Sequence, residues 1–251
     1  MIMKKFLTEI GALSLFSIRS IYWTCKPPFF HGETFRQMAL IGQRCLLPVI
    51  FVVAPFGMLV TLQGLNIVSS FGTEGILSSI LVVSLLRELS PGLTGIMIAA
   101  QAGSTAAAEL GTMRIREEVD ALSVMAVNPF QYLVSPRLIA FTLMCPLVNA
   151  IACSSGIISG YVTAVVFKGV NRGTFMENLY GFVGMMDVWG GIIKTLLFGL
   201  IIGCISCYYG YNVKGGAEEV GQAANHAVVR SIITFLGFNY FLTSALFALG
   251  G

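Results

Sequence analysis

Residues 45–69 read CLLPVIFVVAPFGMLVTLQGLNIVS, 25 positions without a charged side chain. An α-helix rises about 1.5 Å per residue, so this stretch is long enough to cross a hydrocarbon core of about 30 Å. Cys45 to Ser69 is therefore the first of five predicted membrane spans. Downstream, Gly75 to Ala108 exceeds one bilayer thickness and is interrupted by Arg87-Glu88 and Ser90-Pro91-Gly92, which predicts one long kinked helix or two half-helices. The third span is Leu138 to Phe167, with Ser135 as helix cap and Pro136 as first helical residue. Val188 to Tyr209 and Ala227 to Leu249 complete the set, with Lys194 and Arg230 near their starts. The expected fold is all-α and integral to the membrane, with residues 1–251 forming one membrane domain.

Composition agrees with that reading and excludes several chemistries. A chain that is 56% hydrophobic, 11% charged and of mean hydropathy +0.83 has too little charge to cover a soluble surface. Two histidines cannot assemble a histidine-rich di-iron site, and no CxxC or HExxH spacing offers metal ligands, so no metal is expected. The 6 cysteines lie in or beside apolar stretches, where Cys behaves as a small hydrophobe. A net charge of +3 is too small to point to nucleic acid. The phosphate-binding pattern GxxxxGK[ST] is missing, and GGIIKT at 190–195 has the wrong spacing, so no nucleotide cofactor is expected in this chain. His31 and His226 fall near span boundaries and no GxSxG occurs, which leaves a serine-hydrolase triad without its parts.

The N-terminus carries Lys4-Lys5 ahead of an apolar stretch, but Thr8, Glu9, Ser14, Ser17 and Arg19 interrupt it and no cleavage pattern follows. It reads as an interfacial elbow region over residues 1–40. Phe6, Ile10, Leu13, Phe16 and Ile21 approximate one face, basic and hydroxyl residues turn toward headgroups, and Tyr22 and Trp23 suit the interface. Lys4, Lys5, Arg19, Lys26, Arg36 and Arg44 precede the first span, Arg114, Arg116 and Arg137 separate the second from the third, and Lys214 and Arg230 separate the fourth from the fifth. The opposite loops hold fewer. The positive-inside rule then places the N-terminus in the cytoplasm and the C-terminus outside.

Between the second and third spans lies a polar island, Glu109 to Pro136, with a helical pattern inside it. Ile115, Val119, Leu122 and Ala126 recur on one face, Arg114/Glu118 and Arg116/Asp120 are i,i+4 pairs, and Asn128-Pro129 ends the run. An amphipathic helix here either receives a partner or merely covers the end of the bundle. Periodicity leaves both open.

The stretch Ser84 to Arg137 contains LRELSP, AGSTAAAELGTMR, EEVDAL, MAVNP and SPR, with weaker likeness from LQG at residues 62–64 through IIKT at 192–195. In this order and spacing it resembles the MlaE/YrbE family, the permease subunits of ABC transporters associated with MCE proteins. Ser90 departs from the glycine common before the proline. The resemblance implies a homodimer in the bacterial inner membrane, with an elbow helix, five membrane helices per subunit and phospholipid or related lipid as cargo. Partners would be a second copy of the chain, a cytoplasmic ABC ATPase that supplies ATP and Mg, and an MCE-domain protein on the outer face. Residues 109–128 would be the coupling helix, with Glu109, Leu110, Gly111, Met113, Arg114, Glu117, Glu118, Asp120 and Met125 meeting the ATPase. Arg87, Glu88 and Lys194 are the intramembrane polar candidates. A charge at mid-bilayer costs at least about 2.5–3.5 kcal/mol, so Arg87 and Glu88, pointing about 100° apart, each need a partner on another helix, in either a structural or a headgroup-reading role. Snorkelling is the plain reading of Lys194, and the likeness of IIKT to the family pattern implies a functional role as the alternative.

The family also implies a lipid cavity lined by Leu59, Leu62, Gln63, Leu65 and Asn66 of the first span and Phe238, Tyr240 and Phe241 of the fifth. Phe235 belongs to the same stretch. The many small residues of the second span, among them Gly92, Gly95 and Gly103, suit close helix packing. The alternative function is a membrane-embedded lipid-modifying enzyme, which would require clustered intramembrane acids. A secondary transporter would require repeats that the unequal spans do not display.

Overall fold

The computed structural model describes residues 2–69 and 77–248; Gly75 and Leu249, predicted span ends, lie outside them. Ten α-helices follow one another, α1 (Ile2–Thr24), α2 (His31–Ser69), α3 (Leu77–Ser84), α4 (Ser90–Ile98), α5 (Ser104–Ile115), α6 (Glu118–Val124), α7 (Ser135–Tyr161), α8 (Arg172–Phe182), α9 (Met185–Tyr211) and α10 (Ala217–Ala248), with no strand among the described residues. Helices α3, α4 and α5 are continuous through π-helical turns at Leu85–Leu89 and Ala99–Gly103, and a further π turn, Phe130–Val134, leads into α7. Among the described residues, five helices are long and apolar enough to cross a membrane: His31–Val68, Leu77–Ile115, Phe130–Phe167, Met185–Tyr211 and Ala217–Ala245. The chain is an all-α, multi-pass membrane protein.

Several boundaries differ from the sequence reading for identifiable reasons. Helix α2 starts at His31, so residues 31–40 belong to the first span's helix and not to the elbow. Apolarity marks where a helix enters hydrocarbon; hydrogen bonding decides where the helix ends, and Gln37 bonded to Glu33 (2.8 Å) continues the turn outside. The third span is capped by Asn128, whose side chain accepts from the Phe130 N–H (3.0 Å), while Ser135 donates to Phe130 O within the turn. Of the elbow's hydroxyls, Ser20 is buried and Ser14 exposed. Ser14, Ser20 and Thr24 donate to carbonyls four residues back, and Phe16 is buried against Phe130, Tyr208 and Tyr211 while Ile10 and Ile21 point outward.

Small residues bring the helices together, as their abundance predicts. A Cβ on Gly210 of α9 would stand 2.6 Å from Ala107 O of α5, and one on Gly57 of α2 would collide with the Gly156 carbonyl of α7. Hydrogen is the one side chain that fits there. Gly95 accepts the Phe235 ring, which stacks on Phe198 at 4.9 Å between centroids. Phe235 is therefore core. Gly92, by contrast, faces open space.

Candidate functional site

Proline 91 sets the geometry of the intramembrane charges. It has no N–H to offer the carbonyl one turn back, and the Lys194 ammonium takes that place, donating to Arg87 O at 2.7 Å. Lys194 also donates to Glu88 Oε1 (2.8 Å) and Thr243 Oγ1 (2.7 Å) and is 0% exposed. The long stem thus does not snorkel; it threads inward because the opposite charge lies there. Asn239 and Thr243 of α10 donate to the two oxygens of Glu88, at 2.9 and 2.8 Å. Arg87 turns to Asp187 at the start of α9, Nε to Oδ1 2.5 Å. Adjacent residues in a widened π turn therefore clamp the second span to two points on the fourth, and Glu88 adds the fifth. Such a cluster fixes helix register. It also leaves the Glu88 side chain 41% exposed, within reach of a polar ligand.

At the other end of the second span, Glu109 lies between Arg44 (3.3 Å) and Arg137 (3.7 Å), and Arg137 also donates to Leu133 O. Glu109 thus joins three spans. Leu110 and Gly111 are buried, with Gly111 against Val213 and Val220. Of the positions expected to meet a partner, Leu110 and Gly111 pack within the chain, while the Glu109 side chain stays 36% exposed. The predicted continuous helix of 109–128 is broken, because α5 ends at Ile115 and Glu117 adopts a left-handed conformation (φ 59°) before α6 begins. The i,i+4 pairs do not form; Arg114 reaches Asp120 (2.6 Å) across the break and Arg116 lies 4.0 Å from Glu118. What the break creates is a projecting tip. Val124 is 87% exposed and Met125 64%, beside exposed Glu117 and Asp120.

A charge lattice thus links three spans, and an exposed apolar and acidic tip stands at the end of one of them. Residues 34–245 match the family described as Permease MlaE. The chain belongs to the MlaE permease family. It is 37% identical to a probable ABC transporter permease protein of Rickettsia prowazekii over 97% of this chain and 94% of that one. Identity is 32% to the intermembrane phospholipid transport system permease protein MlaE of Haemophilus influenzae (86% and 83% of the two chains). It is also 32% to the chloroplastic protein TRIGALACTOSYLDIACYLGLYCEROL 1 of Arabidopsis thaliana (86% and 61%). Membership makes the chain a transporter subunit rather than an enzyme.

The expected cavity residues of this permease divide. Leu65 is buried in the core, Leu62 is half-buried, and Leu59, Gln63, Asn66, Phe238, Tyr240 and Phe241 are exposed. They form open surface, not an enclosed chamber.

Sequence reasoning missed Asp187, Asn239 and Thr243 as partners of the cluster, and Val124 as the most exposed apolar residue of the tip. Asp187 had a signal. A lone acid at the start of an apolar span, opposite an intramembrane arginine, is a pairing candidate.

Proposed function

We propose that this permease is the transmembrane subunit of an ABC transporter that moves phospholipid or a related lipid between the bacterial inner membrane and an MCE-domain protein. Likeness to the intermembrane phospholipid transport system permease protein of Haemophilus influenzae supports the cargo class. The basic residues before the first span, between the second and third and between the fourth and fifth support an N-terminus in the cytoplasm and a C-terminus in the periplasm. A second copy of the chain would close the open surface of Leu59, Gln63, Phe238 and Tyr240 into a lipid cavity. ATP and Mg would be bound by a separate cytoplasmic ATPase subunit.

The observation that carries the coupling role is the tip at Glu117–Met125. An apolar knob with an acidic rim, tied to α5 by the Arg114–Asp120 bridge, suits a groove on a partner. Closure of the ATPases on ATP pushes α6. Because α6 is bridged to α5, and α5 is continuous with α4 through π turns, the push reaches Arg87 and Glu88. These clamp the fourth and fifth spans, so the cavity wall moves with the tip. Val124→Asp tests the reading. The variant should insert and remain monodisperse, yet lose co-purification of the ATPase. Glu117→Lys should weaken it, since a reversed rim charge acts on a contact worth about 1–3 kcal/mol. Undiminished co-purification and lipid transfer in both would remove the docking role from this tip.

A further inference from the structure

We propose a resident anionic phospholipid beneath the elbow helix, held by residues separate from those assigned to the transport cavity. Two grooves meet there. One, about 300 Å³, opens between the end of α1, the start of α2 and α7, with Trp23, Lys26, Phe30, Phe35 and Met38 among its walls. The other, about 210 Å³, continues under Ile21 and Cys25 to Leu200. Both share Thr24, Ile139 and Leu143, so they form one continuous trough. From Pro136 to Leu143 the trough follows α7 for about 10 Å, a length suited to the upper part of an acyl chain.

Charge complementarity selects the occupant. The walls of both halves are mainly apolar, no carboxylate lines either half, and Lys26 is the charged side chain among their described lining residues. Its ammonium lies over Tyr22, 4.4 Å from the ring centroid, and has no carboxylate partner among the described residues. A cation without an anion, at the mouth of an apolar trough, fits a headgroup phosphate above a buried tail. The mouth is built. Gln131 Nε2 donates to Lys26 O and Pro27 O, both at 3.3 Å, fixing the loop to the start of the third span, and Phe30 packs edge-on against Tyr132. Trp23 and Tyr22 place this mouth at headgroup depth, where membrane phospholipid is the abundant amphiphile. The site depends on membrane insertion alone and stands whether or not the proposed cargo is correct.

The test uses the full-length chain in phosphatidylcholine nanodiscs carrying a trace of phosphatidylglycerol with a photoreactive group in its acyl chain. Mass spectrometry of labelled peptides should find label at the segment holding Ile139 and Leu143 and at Leu200. Unlabelled phosphatidylglycerol should compete; added phosphatidylcholine and inorganic phosphate should not. Lys26→Ala should lower this label about fivefold, the equivalent of about 1 kcal/mol per basic residue at an anionic surface, and Lys26→Arg should restore it. Leu143→Trp should abolish it by filling the trough, while label near Leu62 and Phe238 persists in all variants and reports an intact bundle. Equal trough labelling by a phosphatidylcholine probe in the unaltered chain overturns the proposal without reference to any variant. Wild-type labelling in Lys26→Glu overturns it too, as does a photoreactive residue at position 35 that captures polypeptide instead of lipid.

Discussion

Replacing Lys194 by methionine isolates the contribution of the intramembrane lattice. The change keeps the stem's volume and deletes three hydrogen bonds, to Arg87 O, Glu88 and Thr243. Removing one member of a buried ion pair costs about 3–5 kcal/mol, because the other charge is stranded. Glu88 keeps Asn239 and Thr243 as donors and is 41% exposed, so the loss falls at the low end, about 3 kcal/mol. Glu88→Gln strands the opposite charge on a side chain with 0% exposure and should lose more, about 4–5 kcal/mol. The double variant strands neither. It should lose about 1 kcal/mol, leaving it more stable than either single variant and well short of the sum of the two single losses. Unfolding in mixed micelles titrated with dodecyl sulfate reads this directly through the fluorescence of Trp23 and Trp189. If the two losses simply add, Lys194 and Glu88 act independently and the lattice does not hold the spans in register.

Other positions make separate claims. Glu117→Val should destabilise by about 1–2 kcal/mol, since a β-branched residue resists the left-handed conformation, whereas Glu117→Gly should be neutral or stabilising; thermal unfolding of both checks the break between α5 and α6. Gly210→Val should cost about 1–3 kcal/mol or more by forcing α9 from α5, while Gly92→Ala, with nothing within 4 Å, should be stabilising by up to about 1 kcal/mol, read in the same unfolding assay. Glu9→Gln should change global stability by no more than about 1 kcal/mol, because its partner Arg230 is half-exposed, yet raise hydrogen exchange across residues 2–24.

Span number and approximate position were legible in the sequence because hydrocarbon imposes a simple requirement, a run of apolar residues about 20 long. Helix ends were not, since outside the bilayer they depend on local donors and acceptors, as Asn128 and Glu33 illustrate. Arg87 and Glu88 stood out by their cost in lipid, but their partners lie 100 to 155 residues away. No local pattern encodes that pairing. Lys194 stayed open between snorkelling and a functional role for the same reason, since a lysine near a span end looks identical whether it reaches water or an acid. The tip was the subtlest case. A continuous apolar face over Ile115–Ala126 suggested one helix, and one residue in a left-handed conformation rotated Val124 and Met125 outward.

The contact of Glu9 with Tyr209 (2.5 Å) and Arg230 (3.1 Å) has a consequence for biogenesis. Glu9 leaves the ribosome first, but its arginine partner is 221 positions behind. Through most of synthesis the elbow helix has its carboxylate in the headgroup layer with no basic partner from the last span. A chain that ends before Ala217 already holds Tyr209 and the aromatic nest around Phe16, so the last span completes the charge pairing of a helix whose apolar seat is made earlier.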